Sequence, residues 1–121
     1  MAAAELDIII EQGATFDLSL TVSDSEGYPI NYTGLKARSQ FRLTQDSTTT
    51  LLDLSSDNGD LLVQPSSLIG VVQFNISAVE TAALVDSGGV YDLEVFDPND
   101  VASVTRLVQG VWMLNKEVTR V

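Results

Sequence analysis

The chain has no histidine and no cysteine, and only six basic residues stand against seventeen acidic ones in a length of 121. Without those two residue types there is no thiolate nucleophile, no Ser-His-Asp relay, no zinc finger, no haem or iron–sulfur ligation and no imidazole switch near neutral pH. Any chemistry would have to rest on carboxylates, Lys, Tyr and hydroxyls. The net charge of −11 argues against nucleic acid as a partner, because affinity for a phosphate backbone comes from Lys and Arg neutralisation and counterion release. Long apolar runs are missing as well. Runs such as Ile8-Ile9-Ile10 and Val111-Trp112-Met113-Leu114 fall far below the roughly 18 residues that cross a bilayer, so no membrane span is expected. The opening Met1-Ala2-Ala3-Ala4-Glu5-Leu6-Asp7 has no basic n-region and reaches acids before any apolar stretch, so a secretory signal is not expected either. A chain without cysteine fits synthesis in a reducing cytoplasm.

What is present is a period of two. Phe16, Leu18, Leu20 and Val22 alternate with Asp17, Ser19, Thr21 and Ser23, the pattern of a strand with one face in a core and one in water. Residues 6–11 read as a short β-branched strand before it. Asp24-Ser25-Glu26-Gly27 reads as a hairpin turn after it. A second alternating run places Leu35, Ala37, Ser39, Phe41 and Leu43 on one face and Lys36, Arg38, Gln40 and Arg42 on the other. Half of all the basic residues therefore share one face of one strand. Two readings apply: a site for an anionic ligand or partner, or cross-strand pairing with Asp92 and Glu94, which occupy the polar phase of a later strand. The second is favoured, since opposite charges stabilise such pairs modestly.

Residues 45–50 read as a polar loop, and residues 51–54 and 61–63 as two short strands. The intervening Ser55-Ser56-Asp57-Asn58-Gly59-Asp60 holds several oxygen ligands but lacks the spacing of a calcium loop, so a tight Asn-Gly turn is expected there. Residues 71–76 alternate again. Ser77-Ala78-Val79-Glu80 has the form of a capping box, in which Ser77 and Glu80 satisfy each other's free backbone N–H groups, and one or two helical turns are expected over about 77–84. Gly88-Gly89 then leads into an alternating strand with Tyr91, Leu93 and Val95 in phase, and Asp97-Pro98-Asn99-Asp100 supplies the next turn. The final strand, residues 103–114, is apolar in both phases near its end.

Seven to nine short strands with one crossover helix predict an all-β, immunoglobulin-like antiparallel sandwich, one domain over 1–121 with 1–5 as a flexible arm. Tyr91 is the candidate for a tyrosine corner, its hydroxyl bonded back to the preceding turn. Carboxylate pairs are uninformative in so acidic a chain, and phosphate-binding glycine loops are absent. No catalytic residues, metal ligands or cofactor are expected. Ile8, Ile9 and Ile10 on a terminal strand, and Val111, Trp112 and Met113 on the doubly apolar one, are the candidate partner contacts, or else the edge and core of one monomer.

The pieces Leu6-Asp7-Ile8-Ile9-Ile10-Glu11-Gln12-Gly13, Thr33-Gly34-Leu35-Lys36-Ala37-Arg38, Thr81-Ala82-Ala83-Leu84, Tyr91-Asp92-Leu93-Glu94, Val104-Thr105-Arg106-Leu107-Val108-Gln109-Gly110 and Glu117-Val118-Thr119-Arg120 carry a resemblance almost end to end. The chain resembles the small structural proteins of tailed bacteriophages and prophages, and is similar in outline to the N-terminal sandwich domain of baseplate upper proteins. The resemblance implies a non-enzymatic virion protein made in the host cytoplasm and not secreted. It implies a tail or baseplate adaptor that helps attach fibres, with other virion proteins and copies of itself as partners and no nucleic acid or membrane. Capsid decoration is the alternative. A carbohydrate-binding module using Tyr28 and Tyr32 as stacking platforms is an alternative of another class.

Overall fold

Strands form where apolar positions alternate, and the computed structural model, which describes residues 3–119, contains nine of them among those residues. They are β1 (Ala4–Glu5), β2 (Ile8–Glu11), β3 (Phe16–Thr21), β4 (Lys36–Arg42), β5 (Leu52–Ser55), β6 (Leu61–Val63), β7 (Val71–Ile76), β8 (Gly88–Asp97) and β9 (Asp100–Asn115). Helix α1 (Ala78–Ala82) lies between β7 and β8, opened by the expected reciprocal bonds of Ser77 and Glu80. A six-stranded sheet has the order β1-β9-β8-β4-β5 with β2 also on β9, and a three-stranded sheet has the order β3-β7-β6. With β3 as strand B, this is C′-C-F-G over D-E-B, the order of an immunoglobulin-like sandwich. Alternate residues of both sheets meet in one core, where Phe41, Leu54, Leu61, Phe74, Ile76, Leu93 and Trp112 are all buried.

The order departs from that pattern at the start of the chain. The first strand would ordinarily lie beside B, yet β1 and β2 pair in parallel with β9 at the other sheet, Ala4 opposite Val108 and Ile8 opposite Trp112. The sandwich is therefore not antiparallel throughout. Residues 4–5 are a strand and not an arm, while Met1, Ala2, Arg120 and Val121 lie outside the described residues.

Tyr91 helps hold the segment there. Its hydroxyl donates to the Leu6 carbonyl at 2.5 Å, 85 residues away, and not to the turn before β8. The expected corner is thus corrected to a clasp on the N-terminal segment. Opposite Tyr91 stands Gly110, where a Cβ would collide with the Leu6 carbonyl, so the close approach requires glycine. Burial, with Asp7 and Glu5 nearby, pushes the Tyr91 phenol up to about 12, so it remains a donor at all ordinary pH.

The expected Asn-Gly turn is present, but it does not join paired strands. Gly59 does adopt the left-handed conformation, with φ of 85°, but β5 belongs to one sheet and β6 to the other, so residues 56–60 cross between layers. Asp60 ends this crossing, buried beside Glu80 of α1. Burial first, and then the neighbouring Glu80 carboxylate, push its pKa up to about 6. The 24–27 turn carries only a single bridge, Ser23 to Pro29, before the chain leaves for β4.

Tyr91→Phe is expected to lower stability by about 1–2 kcal/mol, the scale of a buried hydrogen bond, and to speed amide exchange at Leu6, which donates to Gln109. Chemical denaturation checks the first, and an unchanged midpoint would remove the clasp's energetic role. A second outcome concerns pH. Asp60 holds its proton more tightly folded than unfolded, so its contribution is fully present below pH 3.8 and is lost as pH rises through about 6. Asp60→Asn should therefore raise the melting midpoint at pH 8, with the gain shrinking on acidification to pH below that window.

Candidate functional site

Alternation that sends Ala37, Ser39 and Phe41 inward sends Lys36, Arg38, Gln40 and Arg42 to the outer face of the six-stranded sheet. Register carries Val90, Asp92, Glu94 and Phe96 of β8 beside them, and Val111, Gln109 and Arg106 of β9 beyond. Four of the six basic residues of the chain thus share this face.

Arg106 belongs here because of a β-bulge. Leu93 opposes Val108 but Glu94 opposes Arg106, so Leu107 and Val108 both turn into the core. Its guanidinium lies 3.5 Å from Asp92 and 3.9 Å from Glu94. Arg38 donates to Glu94 at 2.9 Å and sits 4.5 Å above the Phe96 ring. The expected pairing across strands therefore holds for Arg38 and Glu94. Lys36 instead reaches Asp57 at 2.7 Å, Arg42 bonds the Ser47 carbonyl and Gln40, and Asp92 is answered mainly by Arg106. Burial raises the Asp92 pKa, the Glu94 charge adds to the rise, and Arg106, Arg38 and Arg42 oppose it.

Between these ladders the face holds an open depression of about 560 Å³, lined by Glu5, Gln40, Arg42, Asp92, Arg106 and Gln109 among others. Gln109 donates to Glu5 at 2.8 Å, so the clasped N-terminal strand forms one wall. Sequence reasoning missed Arg106, Gln109 and Glu5. The adjacent apolar pair Leu107-Val108, which breaks the alternation, was the signal for the bulge.

At one end of the face apolar side chains emerge between Asp7, which accepts from the Val111 N–H, and Glu11, which accepts from Asn115. Ile9 lies opposite Met113, and Val111 opposite Val90. Ile9, Val111 and Met113 are 59%, 43% and 47% exposed. Ile8, Ile10 and Trp112 are buried in the core, and the Trp112 indole donates to the Arg42 carbonyl at 3.3 Å. Of the six candidate partner contacts, then, three form an accessible apolar strip and three hold the sandwich together.

No family model and no curated protein matches the chain. Among solved structures of similar outline are the extracellular domains of the voltage-gated sodium channel beta4 subunit, described as parallel homodimers that explain its role in cell-cell adhesion. That chain is 10% identical, with 98% of this chain and 97% of that one covered at a TM-score of 0.48. The fold assignment rests on the strand order given above.

Arg106→Gln removes the cation between Asp92 and Glu94, both on one strand face. It should cost about 0.2–1 kcal/mol at neutral pH, the range of exposed pairs. The Asp92 pKa should rise further, so the cost should shrink as acid protonates that carboxylate; urea titrations at neutral and acid pH check the sign.

Proposed function

We propose that this chain is a non-enzymatic structural protein of a tailed-phage virion, an immunoglobulin-like adaptor at the tail or baseplate that helps seat tail fibres. The observation that carries the adhesive part is the outer face of the six-stranded sheet. Its apolar strip of Ile9, Val111 and Met113 flanks a ladder of paired charges that lie on β4, β8 and β9, with Asp57 of the 56–60 crossing joining it through Lys36. An apolar patch rimmed by charge fits a protein partner, the apolar part supplying burial and the charges orientation. The virion context is supported by the sequence resemblance that runs through β2, β4, β8 and β9.

The carbohydrate-binding alternative loses its platform. Tyr28 is 66% exposed but Tyr32 is 5% exposed, with its hydroxyl unpaired inside the protein. Two stacking rings are not presented together.

Mass spectrometry of purified particles separated into heads and tails tests the assignment. Recovery with tails is the expected outcome; recovery with heads alone would replace the tail role by capsid decoration. Met113→Glu together with Ile9→Lys, which sets opposite charges on directly paired positions, should leave the unfolding free energy within about 0.5 kcal/mol of wild type, as exposed substitutions do, while abolishing incorporation into particles.

A further inference from the structure

The departure of the first strand to β9 leaves β3 with a neighbour on one side only. Val22 donates to the Gly70 carbonyl, which sets the ladder's phase: Phe16, Leu18 and Leu20 exchange bonds with β7, and Asp17, Ser19 and Thr21 turn their N–H and C=O groups outward. No bond from these three outward sets to another described residue is present. The core is less completely covered at the same place. Val72, Phe74 and Ile76 on β7 are fully buried, whereas the inward-facing Phe16, Leu18, Leu20 and Val22 beside them pack on the core but are only partly buried.

Edges are ordinarily guarded by Lys, Pro, a bulge or brevity. β3 is six residues long with no Lys, no Pro and one charge, Asp17. Its pattern is also self-complementary. In an antiparallel pairing of two β3 strands centred on Ser19, Asp17 meets Thr21 of the second copy, Ser19 meets Ser19, and Leu18 meets Leu20. Those contacts give three hydrogen-bonded pairs, each exchanging two bonds, and an unbroken apolar row on the core side. Sliding the strands until Asp17 faces Asp17 would set like charges directly opposite, so the charge selects against that register.

We propose that the free edge of β3 is a self-association site, at which two copies of this chain join into a continuous six-stranded sheet, β6-β7-β3 from each, about a twofold axis at Ser19. The site is distinct from the outer face of the six-stranded sheet and does not depend on the virion reading.

Sedimentation velocity on the full chain tests it, at rising protein concentration and in roughly 1 M salt, where the Debye length of about 3 Å screens the repulsion between two copies of charge −11. A reversible dimer is expected. Ser19→Pro removes an N–H that points away from β7, a substitution edge strands tolerate, and should leave a folded monomer. Thr21→Asp and Thr21→Lys, compared at about 0.15 M salt where the Debye length of about 8 Å leaves adjacent charges unscreened, test the register without perturbing the monomer core: by symmetry each creates two new pairs with Asp17. The first should weaken and the second tighten the dimer by roughly 2- to 30-fold each. Amide exchange at Asp17, Ser19 and Thr21 should slow as concentration rises, a readout that holds even if Ser19→Pro fails to fold. A wild-type chain that stays monomeric at the highest concentration and salt overturns the proposal. So does a dimer indifferent to Thr21→Asp and Thr21→Lys, which would move the contact to another surface.

Discussion

The bond from the Tyr91 hydroxyl to the Leu6 carbonyl helps hold the first strand on the six-stranded sheet, and much of the molecule's surface follows from that placement. A short N-terminal strand in a sandwich has two edges within reach. Here a buried donor on β8 and a glycine on β9 make one of them the better acceptor of backbone, since only Gly110 lets the Leu6 carbonyl come close enough. Once held, the strand buries Ile8 and Ile10, sets Ile9 against Met113 on the outside, and brings Glu5 to Gln109. The same choice strips β3 of its neighbour. An exposed apolar strip and a bare edge both follow from that placement.

Stability and recognition draw on different parts of the structure. Phe41 sits at the centre of the core, with ring centroids of Tyr91, Trp112 and Phe74 at 5.2, 5.9 and 6.4 Å. Such aromatic pairs contribute about 0.5–1.5 kcal/mol each beyond the area they bury. The ion pairs of the outer face are exposed on at least one side, where the median contribution is about 0–1 kcal/mol. The core accordingly holds the fold, and the charge ladder is free to be arranged for a partner, with Arg38 and Arg106 fixed by their carboxylates in defined positions.

Much of this was legible in the chain because period two reports which face a side chain takes. The alternations of residues 16–21, 36–42 and 90–96 named their inward and outward sets, and Ser77 with Glu80 announced α1. Pairing partners were not legible. Nothing local in residues 6–11 says that they lie parallel to residues 109–115, since that register is set by contacts about a hundred positions apart. The crossing over residues 56–60 looks like a hairpin turn because Gly59 has the same backbone requirement in either setting. For the same reason Trp112 and Met113, adjacent in an apolar run, were read alike, although one is in the core and the other outside. Tyr91 was singled out as a donor, but its acceptor lay at the far end of the chain.

The acidity takes on a structural sense once the edge is seen. A side-chain surface such as the outer face is selective by composition, because the wrong partner meets unpaired charge. A backbone edge is not, since every extended strand offers the same N–H and C=O groups. β3 lacks the local guards that sandwiches usually place on such an edge, and a net charge of −11 supplies a diffuse one. Four of the six basic residues lie on the outer face of the other sheet, and the one charge on β3 itself is the acid Asp17. Long-range repulsion of this kind keeps an acidic chain dispersed. It loses force over about a Debye length in salt, so the edge is closed to chance encounters between free copies and opens only where screening or a shared scaffold holds two copies close.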